Sequence, residues 1–161
     1  MIKLLFSSLI FLFSICTHAD ELSGRVVDVA SGDSITIVDA SNTEYKVRLS
    51  GIDAPEKQQP FGLESKKSLS DLVNGKEVTV NWIKRDYHKR VVGKVFLNKV
   101  DINLEQVKRG MAWVFKHFVN DPYSQDQTYY VDAQEEAEKR HLGLWSQSDD
   151  PIPPWEFRRH E

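Results

Sequence analysis

Between residues 22 and 49 apolar and polar positions alternate, with many β-branched side chains, in three runs covering 23–30, 34–39 and 44–49. Alternation of period two turns one face of each run toward a core, so the runs predict strands. Ser31-Gly32-Asp33 and Ala40-Ser41-Asn42-Thr43 between them carry turn chemistry, which makes a three-stranded meander. After a loop over 51–59 the period changes. Phe61, Ser65, Leu69 and Leu72, with Val73, recur at helical spacing, predicting a helix opened by Pro60 and closed by Asn74-Gly75. Runs at 76–83 and 91–97 predict two further strands joined by a charged segment over 84–90. Asn103 is placed to cap a short helix ending at Arg109, and 128–142 predicts a longer one with Lys139, Arg140 and His141 in its last turn. Five strands with a helix between the third and fourth is the order of a small Greek-key barrel. The expected fold is therefore α+β: a five-stranded Greek-key β-barrel with three α-helices. Pro151, Pro153 and Pro154 predict an extended tail over 149–161.

The first 19 residues depart from this pattern. Lys3 is followed by an apolar run to Cys16 broken only by serines, then by Thr17-His18-Ala19 with small residues where a signal peptidase reads. The run falls short of the ~20 apolar residues that span a bilayer. Residues 1–19 are thus expected to be a cleaved export signal, leaving a periplasmic or secreted protein with no stable membrane association. Its lone cysteine, Cys16, would leave with the signal. Disulfides, zinc-thiolate chemistry and cysteine nucleophiles are then excluded, and the core is held by apolar packing, with or without a metal.

The whole chain carries 21 basic and 24 acidic side chains, so net charge alone does not mark a polyanion binder. Distribution changes that picture. Residues 76–99 hold seven basic and two acidic side chains, whereas 126–150 hold seven acidic and two basic. A mildly acidic protein can present one basic face to nucleic acid, although two solvated faces would give the same counts.

Three carboxylates stand in loops or at strand ends: Asp33, Asp53 and Glu56. In a five-stranded barrel the start of the second strand and the end of the third lie near each other, and hard oxygen ligands converging there suit calcium. The competing reading makes Asp33 and Asp53 turn residues that bond their own backbone. Arg48, on the strand leading into the loop, is turned away from the face shared by Val47 and Leu49 and should emerge near Asp53. Its planar fork matches either a carboxylate or two phosphate oxygens, and Arg90 offers a second fork. Two carboxylates for a cation, a third for a water proton and two arginines for a phosphate are what phosphodiester hydrolysis requires.

The stretch Ser31-Gly32-Asp33-Ser34, the block Val47-Arg48-Leu49-Ser50-Gly51-Ile52-Asp53-Ala54-Pro55-Glu56, the segment Asp86 to Arg90, Gly110-Met111-Ala112 and Gly143-Leu144-Trp145 together resemble the staphylococcal nuclease family. The resemblance runs over about residues 22–146 and implies a nuclease domain over 20–148 followed by the proline-rich tail. It implies an oligonucleotide-binding-type (OB-type) barrel and a calcium-dependent endonuclease acting on DNA and RNA and leaving 3′-phosphate ends. Asp33 and Asp53 match the metal-binding aspartates, and Ala54 stands where a backbone carbonyl serves the metal. Glu56 matches the carboxylate that activates water, and Arg48 and Arg90 match the arginines that hold the scissile phosphate.

Four departures stand out. Ser31 replaces an aspartate common in the metal loop, which is expected to weaken calcium binding through lost charge. Lys89 stands where glycine is usual, and Lys116 where the best-known member has a nucleotide-contacting tyrosine. The tail's Pro153-Pro154-Trp155-Glu156 resembles endings of exported bacterial members without a role attached. Lys84, Arg85, His88, Lys89 and Lys116 are candidate substrate contacts, and Tyr87 and Tyr123 are open candidates for the groove. Trp82, Trp113 and Trp145 lie in apolar patterns and are expected in the core or at the barrel rim.

A monomer acting on single strands or frayed duplex is expected, because an accessible backbone must enter the site. Two alternatives fit the same residues. One is a barrel that holds single-stranded nucleic acid without cutting it; the other is an exported barrel that binds oligosaccharide or protein. Digestion of DNA with added calcium separates the three.

Overall fold

The computed structural model describes residues 20–115, 126–147 and 149–159. The expected signal over 1–19, Lys116 and Tyr123 lie outside the described residues. No helix among the described residues is long and apolar enough to cross a membrane.

The chain folds as β1 (Asp20–Ser31), β2 (Ser34–Val38), β3 (Glu44–Leu49), β4 (Ile52–Asp53), α1 (Gly62–Val73), β5 (Glu77–Arg85) and β6 (Val91–Leu97). There follow β7 (Val100–Asp101), α2 (Ile102–Lys108), β8 (Trp113–Val114), α3 (Gln127–Lys139), a 3-10 turn (Gly143–Ser146) and α4 (Pro154–Phe157). β1, β2 and β3 form the antiparallel meander, and β1 also pairs with β5, which pairs with β6. A short parallel pairing of β3 with β6 closes the ring, making the five-stranded OB-type barrel. Register shifts in β1 after Val26 and Val29 bend that strand so that it can serve two neighbours.

Inward residues of the strands, among them Val26, Ile35, Ile37, Val47, Leu49, Val80, Val91 and Val95, are fully or almost fully buried. Leu69 and Val73 of α1 and Ile102 and Val107 of α2 join the same core. Trp113 is buried and meets Trp145 edge-on at 5.5 Å between ring centres.

Several local expectations change. The N-cap of α2 is Asp101, whose side chain accepts from Leu104 N–H; Asn103 lies inside the helix, fully buried. Its Nδ2 donates to the carbonyls of Ser50 (2.8 Å) and Gly93 (3.3 Å), and its Oδ1 accepts from Val95 N–H (3.0 Å). One amide thereby ties the Ser50 loop to β6, a task no local pattern announces. Asn103→Ala is expected to cost about 3 kcal/mol by stranding these backbone groups, measured by urea denaturation.

The tail also differs from the extended form expected. Pro153-Pro154 start the four-residue α4, because proline at a first helical position loses no hydrogen bond and already has helical φ. Lys94, counted above in the basic segment, is instead turned inward and paired with Asp101 (2.6 Å) and Asp126 (2.7 Å). Burial alone would lower its pKa, but these two acids raise it, so that charge is spent inside the fold.

Candidate active site

The barrel register assembles the site. In the β2–β3 pairing Ser34 faces Arg48, which sets Asp33, one residue earlier, beside the arginine. The parallel β3–β6 pairing aligns Val47 with Val91 and Arg48 with Val92, so Arg90 enters from the adjacent strand end. Gly51, with φ of 78°, lets the chain reverse between β3 and β4 and returns Asp53 toward Arg48. β4 is then pinned by β8, with Asp53 opposite Trp113.

These elements surround an open cleft of about 370 Å³ lined by Asp33, Arg48, Asp53, Ala54, Glu56, His88 and Arg90, together with Tyr87, Phe115 and Arg158. Asp33 and Asp53 are buried. Arg48 Nη2 lies 3.2 Å from Asp33 Oδ2 and 3.0 Å from Asp53 Oδ1, while its Nη1 donates to the Leu49 carbonyl at 2.7 Å. Two carboxylates from separate loops thus converge on one nitrogen.

Asp33 is held on every side. Its Oδ2 accepts from Ala54 N–H (2.7 Å), and its Oδ1 accepts from the hydroxyls of Ser31 (2.8 Å) and Ser34 (3.2 Å). Ser31 therefore does more than remove a charge: it supplies a donor that orients Asp33. The loop beneath is clamped by Gln106, whose Nε2 donates to the carbonyls of Gly32 (2.8 Å) and Ser65 (3.1 Å). A Cβ on Gly32 would overlap Ser65 Oγ, itself bound to the Met111 carbonyl. Gly32→Ala is expected to cost about 1–3 kcal/mol by overpacking and to displace Asp33, read by chemical denaturation.

Arg90 is oriented by Asp86. Its Nε donates to Asp86 Oδ2 at 2.7 Å and its backbone N–H to Oδ1 at 2.9 Å. Burial pushes the Asp86 carboxyl up, but bonds from Arg90 and the His88 backbone outweigh it and hold the carboxyl below its ordinary range. Among the described residues Nη1 and Nη2 of Arg90 have no bonding partner, so the fork is left for a ligand. Lys89 completes the turn with φ of 63°, the left-handed region that favours glycine and that lysine occupies under strain.

Lys84, Arg85 and Lys89 do not line the cleft. β5 runs on to Arg85, whose guanidinium lies 5.9 Å from the Tyr45 ring centre and 5.7 Å from that of Trp82. His88 and Tyr87 do line it, with their rings 3.8 Å apart and Tyr87 89% exposed. Sequence reasoning missed Arg158. Its Nη1 reaches Glu56 Oε1 at 2.6 Å and its Nη2 reaches Asp53 Oδ2 at 2.8 Å. No spacing rule connects it to residues a hundred positions earlier.

The donor set fits a hard divalent cation. Burial, with a smaller push from Asp33, holds the Asp53 carboxyl above its usual range against the pull of Arg158 and Arg48. No group of three or more His, Cys, Asp or Glu side chains placed to hold a metal ion occurs among the described residues, so protein carboxylates alone do not complete a coordination shell. An ion here would take two carboxylates and complete its shell with backbone oxygen and water, as calcium accepts.

Fold and site together define an OB-type barrel with loop acids and strand-borne arginines facing one cleft. The chain belongs to the staphylococcal nuclease family: the family model described as "Staphylococcal nuclease homologue" matches residues 46–147. It is 41% identical to a Haemophilus influenzae protein named "Uncharacterized endonuclease", over 99% of this chain and 86% of that one. An Escherichia coli protein of the same name is 37% identical over 94% of this chain and 95% of its own length. "Micrococcal nuclease" of Shigella flexneri is 31% identical over 95% and 89%.

Proposed function

We propose that this protein is a calcium-dependent endonuclease that hydrolyses DNA and RNA, entering at single-stranded or frayed segments and leaving 3′-phosphate ends. The observation that carries the reading is the gathering of Asp33, Asp53 and Glu56 with Arg48 and Arg90 around one cleft. Asp33 and Asp53, with the Ala54 carbonyl, would hold the calcium ion, which supplies positive charge beside a phosphate oxygen as that oxygen becomes more negative.

The side chains do the rest. Glu56, 35% exposed and reachable by solvent, accepts the proton of a water that attacks phosphorus in line with the 5′ oxygen. The new P–O bond forms as the P–O5′ bond breaks, and the 5′ oxygen leaves as a hydroxyl after taking up a proton from solvent water in the open cleft. Arg48 and Arg90 donate to the equatorial oxygens and gain most as negative charge builds there. His88 and Tyr87 at the rim are placed to meet the neighbouring nucleotide, whereas Lys84, Arg85 and Lys89 act only as general positive charge.

The apolar run over 1–19 supports export to the periplasm or beyond, with the mature chain acting as a monomer. A calcium-titrated assay on defined DNA and RNA strands, read for rate and end chemistry, tests the whole reading. Binding of intact strands with no shortening at any calcium concentration would replace it with a non-cutting nucleic-acid module.

A further inference from the structure

The C-terminal segment adds nothing to the barrel, yet it reaches the cleft. Gln59 links the two: its Oε1 accepts from Glu56 N–H at 2.8 Å, and its Nε2 donates to the Ile152 carbonyl at 3.0 Å. Beyond that anchor Pro154 is buried, and the Trp155 ring lies 6.1 Å from Phe115, a residue of the cleft wall. α4 then carries Arg158 onto the acids. Its Nη2 and Nη1 face the two oxygens of Asp53 at 2.8 and 3.4 Å, and Nη1 also holds Glu56 Oε1 at 2.6 Å.

We propose that residues 151–159 form a latch in which Arg158 stands in for the cation, neutralising Asp53 and Glu56 until a divalent ion enters and expels it. The inference rests on the calcium reading above. Arg158 spans both oxygens of Asp53, whose side chain is 4% exposed, so the guanidinium competes with an ion for the same acceptor atoms. Charge points the same way. With Arg48 and Arg158 in place, the three carboxylates already face two positive charges, and a doubly charged ion added to them would leave the cluster net positive. Expelling Arg158 restores the balance and frees Glu56 to accept a proton.

The latch is built to open. α4 is one turn long, the Arg158 side chain is 43% exposed, and the segment is held to the body by the buried Pro154, one hydrogen bond and a ring contact beside its ion pairs. Such a segment opens at far lower free energy than the barrel. A closed latch makes only the open fraction competent for calcium, so a population closed about nine-tenths of the time weakens apparent affinity about tenfold.

The test measures calcium affinity by titration calorimetry, without nucleic acid, on the full chain, on Arg158→Gln and on Arg159→Gln. Arg159 is the exposed neighbour, and its replacement removes the same charge without the contacts. Arg158→Gln is expected to bind calcium about tenfold more tightly than the parent, with Arg159→Gln close to the parent. Calcium should also shift the emission of Trp155, isolated by difference against Trp155→Phe, as the ring leaves Phe115. Equal affinity in Arg158→Gln and parent, or a Trp155 signal indifferent to calcium, overturns the latch while leaving the cation reading standing. Unchanged calcium affinity with lost cleavage in Arg158→Gln would make Arg158 a phosphate contact and also overturns it. Calcium bound by none of the proteins overturns the latch and the cation reading together.

Discussion

Arg48→Ala is expected to slow cleavage of single-stranded DNA by about 10²–10³-fold at saturating calcium, the usual cost of one lost transition-state donor. The barrel makes this a clean test of chemistry. Arg48 sits between Val47 and Leu49, both fully buried, so β3 remains in place when the outward side chain is shortened. The variant has a second signature. Arg48 Nη2 holds Asp33 and Asp53 together, and without it the two carboxylates repel unless a cation lies between them. The stability lost by Arg48→Ala should therefore be larger in chelator than in calcium, as read by urea denaturation under both conditions. Arg48→Lys should recover little of the rate, since an ammonium cannot reach two phosphate oxygens as a planar fork does. A purified, folded Arg48→Ala protein that digests DNA at the parental rate would remove Arg48 from the reaction.

Exhaustive chelation is the second large effect, and it should stop cleavage outright. It should also lower the melting temperature by several degrees, because an ion at a hundred times its dissociation constant adds about 2.7 kcal/mol to the folded state. The barrel should nonetheless persist, since Arg48 and Arg158 both reach the acids. Scanning calorimetry beside a cleavage assay, each with and without chelator, separates the two consequences. A full cleavage rate after chelation would exclude any role for a divalent ion.

Much of the site could be anticipated residue by residue because its logic is local. Alternation along β3 turned Arg48 outward, whereas turn chemistry alone left Asp33 and Asp53 open to an ordinary backbone-bonding role, which their convergence on Arg48 replaces. The glycine usual at position 89 becomes intelligible once Lys89 is seen at positive φ. Other features escaped because they depend on partners distant in sequence. Asn103 reads as a helix cap, since asparagine before an apolar run favours that position, but Asp101 takes the role and Asn103 is drawn inside to serve Ser50, Gly93 and Val95. Lys84 and Arg85 read as a basic loop, yet β5 extends through them and leaves them outside the cleft.

By itself the sequence determined the five barrel strands and the three main helices, most of the apolar side chains that face the core, and which acids and arginines are available for chemistry. Those properties follow from periods of 2 and 3.6 residues and from turn preferences, all of which act over a few positions. Only the tertiary structure decided that Arg48 and Arg90 share a wall, because that follows from the parallel pairing of β3 with β6 across more than forty residues. Only it decided that Arg158 lies on Asp53 and Glu56, more than a hundred positions away. Contacts at such separations are set by how the whole core closes and by which buried charges find a partner, and neither leaves a periodic trace in the chain.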